Sequence, residues 1–457
     1  MGGEPHREPH RIARWLSDAT GVRRTRPGLV PRPRPRTTPD PPHAEPGEPE
    51  ALGAAPVDPG ARLPDAMAVI KVVRGRHPNG REAFGFSARC EGLAPLPYTT
   101  GPTQLRPAGI GLGNARAGGE APSELLRAIR HWSRNQRRLA DWINRARAAH
   151  GSALHLLVWD DTGYELPWET LWLPADSEHG LAEGLLGALV VMSRWTTIHE
   201  LDRGLPHGPG DCAGGILGYY HRGMHHDIAA FRPYSHQPHM TMSGFLDALD
   251  RRAAGDPTGL VYMACHGTYD ERVSALSLAE VTWAELDERA MAVLDEHRSL
   301  VCLNACHSGR FVDNDAGGEE ALRGFAELFL RKGAGGCIVT AGKVGDHEAR
   351  DLITELVEEV TARPRLPVTQ ALRAFRARAL DDFGPLTDIP RTRHDDGGID
   401  KEGQKRVLRL LYTFMFQYYG HPLTTLLLTG GPGEDGSGED GSGDGGPGDE
   451  GAEGGAP

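Results

Sequence analysis

Long apolar runs are missing from this 457-residue chain. None reaches the ~18 residues that a membrane-spanning helix needs, so no membrane partner is expected. The opening residues, MGGEPHREPHRIARW, lack the apolar centre of a secretory signal. Cysteine is sparse: six residues, at 90, 212, 265, 302, 306 and 337, without the dense even spacing of a disulfide scaffold. A reduced, cytoplasmic protein is the expectation. Hydrophobic residues are 39%, low for a compact globule, against 60 Gly and 35 Pro, so part of the chain is expected to stay unpacked. No strongly basic run occurs outside the first 36 residues, and no nucleic-acid partner is expected. The net charge of −12 comes mainly from one end. The last 28 residues, from Gly430, hold eight acidic residues and no basic one, leaving −4 for the rest.

Residues 1–66 read as a disordered Pro/Arg-rich arm, because proline lacks an amide donor and restricts its neighbour. Two readings stay open there: a flexible arm, or a chain that truly starts at Met67 in DAMAVIKVVRG. Residues 431–457 read as a disordered acidic, Gly-rich tail. Between them, 67–210 form an amino-terminal part. AVIKVVRG and EAFGFSARC make two antiparallel strands about an HPNG turn. One long amphipathic helix then runs to Gly151, with Ser123 as its N-cap and Leu125, Leu126, Ile129, Trp132, Leu139, Trp142 and Ile143 on one face. Residues 211–430 alternate strands (GGILGYY, GLVYMAC, SLVCLNAC, GCIVTAG) with helices (MTMSGFLDALDRRAA, TWAELDERAMAVLDEH, EEALRGFAELFLRKG). Short, continuously apolar strands alternating with helices imply an α/β fold, a mostly parallel sheet with helices on both faces.

In such a sheet the site lies beyond the carboxyl ends of the strands. Two strands there end alike: LVYMACHG on His266 and Gly267, VCLNACHSG on Cys306 beside Gly309. One helix separates them, which makes them neighbours and sets a base beside a thiol. An imidazole draws a thiol toward thiolate, the attacking species. The amides of Gly267 and Cys306 are the candidate oxyanion hole.

These residues carry a resemblance. YMACHGTYDE, LVCLNACHSGR, the stretch from LRGFAELFLRKG through KVGDHEARDLITELVEEV, and ELPWETLWLP resemble the CHAT family. These are caspase-like domains of the caspase, separase and gingipain group of cysteine peptidases. The resemblance implies a caspase-like three-layer sandwich and a cysteine endopeptidase with a His266–Cys306 dyad and an acyl-enzyme thioester, in a bacterial signalling or defence pathway. It implies a protein or peptide substrate and no cofactor. Asn304 stands where serine is commoner in the family. No partner-sensing repeat is legible, so an activator would be a separate protein. His307 receives no role. Trp168 and Trp172 read as packing.

Three residues are candidates for the specificity pocket. Asp346 or Asp270 would favour a basic substrate residue, Arg222 an acidic one. The basic preference is favoured, although Asp346 would also serve as a helix cap. Two rival readings differ in class. One is a catalytically silent scaffold that binds partners. The other is a metal-binding module built on His221, His225, His226, His236 and His239. Gly223 and two prolines interrupt any helix there, and a mobile loop over the site is the preferred reading. A zinc site of Cys265, His266, Cys302 and Cys306 is disfavoured, since side chains along a strand drop away at ~3.3 Å per residue.

Overall fold

The HPNG turn closes as a hairpin between β1 (Met67–Arg76) and β2 (Glu82–Cys90), with Gly80 at φ 81° supplying the left-handed turn position. The computed structural model describes residues 63–98, 104–115, 121–198, 209–251, 257–313, 322–390 and 398–430, without the side chain of Asp346. The arm up to residue 62 and the acidic tail lie outside them. The described residues all fall in one compact unit.

The expected long helix is two, α1 (Ala121–Asn135) and α2 (Arg137–His150). The break involves a partner 39 residues away. Ser133 Oγ turns back to the carbonyl of Ile129 and accepts the amide of Trp172, an arrangement that bends helices. Ser123 is no cap. It is buried within α1, where its Oγ accepts from Gln404 at 2.9 Å.

Strands β3 (His155–Asp160) and β4 (Val191–Trp195) continue from β1 in parallel. The second half of the sheet starts with β5 (Asp211–Tyr220). After α3 (Met242–Asp250) come β6 (Thr258–Ala264), two short helices, α4 (Trp283–Asp287) and α5 (Ala292–His297), and β7 (Leu300–Asn304). Met291, at φ 47°, divides the single helix expected there. Then α6 (Phe325–Arg331), β8 (Gly336–Thr340), α7 (Asp346–Ala362), α8 (Val368–Phe383), α9 (Lys401–Met415), β9 (Phe416–Gly420) and β10 (Thr425–Leu428) complete the chain. The helix expected from Glu319 starts only at Phe325, because Leu322–Arg323 pairs with Val312–Asp313.

Among the described residues one sheet of twelve strands organises the molecule, in the order β10-β5-β6-β7-β8-β9-β4-β3-β1-β2 and then the short strand Gln104–Leu105, with His236–His239 alongside β5. β5 to β8 are parallel neighbours, and β9 runs antiparallel to β8. Between the half-sheets the ladder itself is one residue pair, Tyr419 of β9 with Arg194 of β4.

Period-two alternation divides the core. Val261, Met263, Val301 and Leu303 face the helices α3 to α6, and Leu260, Tyr262, Leu300 and Cys302 face α7 and α8. Helices α1, α2 and α9 cover the first half, packed on Ala68, Ile70 and Val72. The result is the three-layer α/β arrangement expected, with a mostly parallel sheet at its centre. Among the described residues no helix is long and apolar enough to cross a membrane.

Candidate active site

β6 and β7 are adjacent and parallel, with Ala264 opposite Asn304. His266 and Cys306 each lie two residues beyond that pair, so one register sets both at the same edge. The ladder continues one step further, with the amide of Cys265 donating to Asn304 O at 3.1 Å. Beyond it the two loops touch. A Cβ on Gly267 would fall 2.1 Å from the carbonyl oxygen of Cys306, so only glycine fits. Gly267 opposes Leu278 in a short hairpin, and the amide of Ala279 donates to His266 O at 2.6 Å. That bond makes Gly267–Leu278 a non-hydrogen-bonded pair, so the hairpin leaves the Gly267 amide unused.

The residues after Cys306 fasten its loop to β8. The amide of Gly309 donates to Thr340 O (2.8 Å), that of His307 to Gly342 O (3.0 Å), and Ser308 Oγ accepts from the Thr340 amide (2.9 Å). Gly309 is required by contact, since a Cβ would lie 2.8 Å from Val339 Cγ2. His307 takes a left-handed conformation, φ 60°, with its Nδ1 buried and without a partner. Burial, with Arg310 and Lys343 nearby, holds its imidazole down to about 4.

Of the six cysteines Cys306 alone is not buried. Burial pushes the Cys212 and Cys265 thiols up to about 12 and raises Cys90, Cys302 and Cys337 as well. His266 is exposed. The dyad side chains share no hydrogen bond among the described residues. In a substrate-free site such bonds are often long and tighten only with substrate bound.

The histidine-rich stretch, expected as a loop, contains the helical turns His225–Asp227 and Ile228–Phe231 and the strand His236–His239. Residues 236–239 pair with β5, and Asp227, buried beneath the strand ends, accepts from Tyr262 Oη (2.6 Å) and Asn304 Nδ2 (2.9 Å). Asn304 thus ties this segment to the strand that carries Cys306. The five histidines are dispersed. His221 stacks edge-on against His266 (ring centroids 5.0 Å), His225 lies on His226, His236 bonds Tyr220, and His239 packs on Phe245. Among the described residues no group of three or more His, Cys, Asp or Glu could hold a metal ion.

Asp270 is half-buried and only 3.9 Å from exposed Arg272. Arg222 is exposed. Asp346 is the first residue of α7, and the N-cap position belongs to Gly345. Residues that the sequence reading missed are Tyr269, Arg310 and Glu165, which border a cavity of about 840 Å3 beside the two loops. Position was the available signal: Tyr269 follows His266 by three, Arg310 follows Cys306 by four, and Glu165 opens ELPWE. Trp168 is packed as expected, fully buried against Trp132 at 5.6 Å, with its indole N–H donating to Asp160.

Residues 225–390, the stretch that holds His266 and Cys306, match the CHAT domain model. No curated protein sequence matches the chain. Among solved structures it is similar to the Arg-specific cysteine proteinase gingipain R, at 13% identity over 66% of this chain and 68% of that one, TM-score 0.35. It is also similar to the complex of Porphyromonas gingivalis RgpB pro- and mature domains (14% identity, 66% and 70% covered, TM-score 0.36). A third is the Saccharomyces cerevisiae separase–securin complex (14% identity, 58% of this chain but 15% of that one, TM-score 0.31).

Proposed function

We propose that the chain is a cysteine endopeptidase with a His266–Cys306 dyad. The reading is carried by the shared register of Ala264 and Asn304, which sets a histidine and the one accessible thiol at one sheet edge with Gly267 between them. In the first step His266 takes the thiol proton and Cys306 Sγ attacks the scissile carbonyl carbon. Negative charge on the carbonyl oxygen is received by the amides of Gly267 and Cys306. Collapse breaks the C–N bond, His266 gives its proton to the departing amine, and a thioester on Cys306 remains. His266 then takes a proton from water, which attacks the thioester, releases the acid and restores the thiol. Substrates are cleaved after Lys or Arg, recognised by a carboxylate, Asp270 or Asp346. Cleavage after Asp or Glu would assign the pocket to Arg222.

The test is identification of new protein termini in cells making the wild-type chain or Cys306→Ala, followed by Asp270→Ala, Asp346→Ala and Arg222→Ala on a cleaved peptide. Termini present in both samples would refute the endopeptidase and leave a scaffold.

A further inference from the structure

The dyad loops are held by one arginine. The Arg310 guanidinium lies 3.6 Å above the ring of Tyr269 and pairs through Nε and Nη2 with Glu165. Arg310 belongs to the Cys306 loop, Tyr269 to the His266 loop, and Glu165 to the first half of the sheet. Glu165 sits at φ 54°, a conformation that costs a non-glycine residue roughly 1–2 kcal/mol. Such strain persists only where surrounding contacts over-determine it.

Those contacts come from ELPWE. Glu169 is buried and bonded by Arg194 Nε at 2.7 Å, while Arg194 Nη2 also donates to Leu166 O at 2.9 Å. Trp168 Nε1 donates to Asp160 Oδ2 at 2.8 Å, and Asp160 Oδ1 accepts the Thr162 amide at 2.9 Å. The loop from Asp160 to Glu169 is therefore fixed at both ends. Room for the carboxylate is left by Gly111, where a Cβ would lie 2.9 Å from Glu165 Oε2. A planar guanidinium serves both contacts at once, its face on the aromatic ring and its edge on the carboxylate.

We infer that Glu165 is a positioning residue of the dyad: it holds Arg310, and Arg310 clasps the loops of His266 and Cys306 in the spacing that lets the imidazole activate the thiol. This rests on the dyad reading. The work of ELPWE is then to present Glu165, and the first half of the sheet is part of the catalytic apparatus.

The test uses the full chain and iodoacetamide, with the alkylation rate of Cys306 followed by mass spectrometry and the thermal midpoint recorded alongside. Glu165→Arg and Arg310→Glu should each slow alkylation about tenfold, as the imidazole is displaced from the thiol it activates. The double variant Glu165→Arg/Arg310→Glu should regain its midpoint yet stay slow, because a glutamate at 310 re-forms the ion pair without the contact on the Tyr269 ring. A purely structural pair would instead lower the midpoint in the single variants while Cys306 in the folded protein kept its wild-type rate. That outcome overturns the inference, as does a double variant that recovers the wild-type rate without the Tyr269 contact. His266→Ala separates the two readings. If it leaves both the rate and peptide cleavage unchanged, the dyad falls and this inference with it. If it slows the rate while Glu165→Arg does not, only this inference falls.

Discussion

The hydroxyl of Tyr262 donates to the carboxylate of Asp227 across 2.6 Å, joining β6, the strand that leads to His266, to a segment 35 residues earlier in the chain. Asn304 donates to the same oxygen at 2.9 Å. Replacing Asp227 with Ala leaves two buried donors without this acceptor, at roughly 1–3 kcal/mol each. Asp227→Ala should therefore lower the urea midpoint by an amount equivalent to about 2–6 kcal/mol, and Asp227→Asn by less. Equal midpoints for Asp227→Ala and wild type would show that the cluster contributes nothing to the fold.

Iodoacetamide should discriminate among the thiols. Cys306 is the accessible one, while burial disfavours thiolate at the other five. Brief labelling of the native chain should place most adduct on Cys306. Adducts spread evenly over the six cysteines, with the fold intact, would contradict this.

Acid should weaken the fold partly through Glu169. Burial alone would push its carboxyl up, but Arg194, by charge and hydrogen bonds, and Arg376 together hold it below the ordinary 4.5. A depressed carboxyl pKa contributes stability that is complete above the unfolded value and is lost as pH falls through the folded one. Stability should thus drop below about pH 4.5, and Glu169→Gln should flatten that part of the curve. Glu169→Ala, which strands buried Arg194, should cost about 3–5 kcal/mol at neutral pH. Urea unfolding of the three proteins at several pH values checks both statements.

Gly267→Ala tests the contact between the loops. Its methyl would collide with the Cys306 carbonyl oxygen, a backbone atom that cannot swing aside. Overpacking of this kind costs about 1–3 kcal/mol. The loops must part, so alkylation of Cys306 should change along with the unfolding midpoint. Wild-type values for both would mean that the loops do not meet as described.

Much of the fold was legible because it rests on local pattern. Apolar strands of five to ten residues, Gly80 in its turn and the periodicity of α7 each carry their own signal. Helix ends were harder. The break after Asn135 depends on Ser133 bonding to Trp172, and Ser123 is used by Gln404 across 281 positions, neither of which a local reading can see. The LRLLYTFMFQYYG run passes from α9 into β9 at Phe416 without any turn residue, because pairing with β8 decides the change. Within the site, His266, Gly267 and Cys306 stood out as reactive groups at strand ends. Glu165 and Asp227 did not, since their importance comes from partners far along the chain.

The single pair of Tyr419 and Arg194 between the half-sheets has a mechanical meaning. A joint with so few interstrand hydrogen bonds costs less to open than the continuous ladders on either side of it. Amides of β6, β7 and β8 should accordingly exchange with solvent more slowly than those at the junction. Side-chain packing takes over where the ladder thins: Val69 and Leu157 from one half-sheet share a core with Leu217 and Val261 from the other, and Ala68 and Ile70 share one with Val407 and Leu411 of α9.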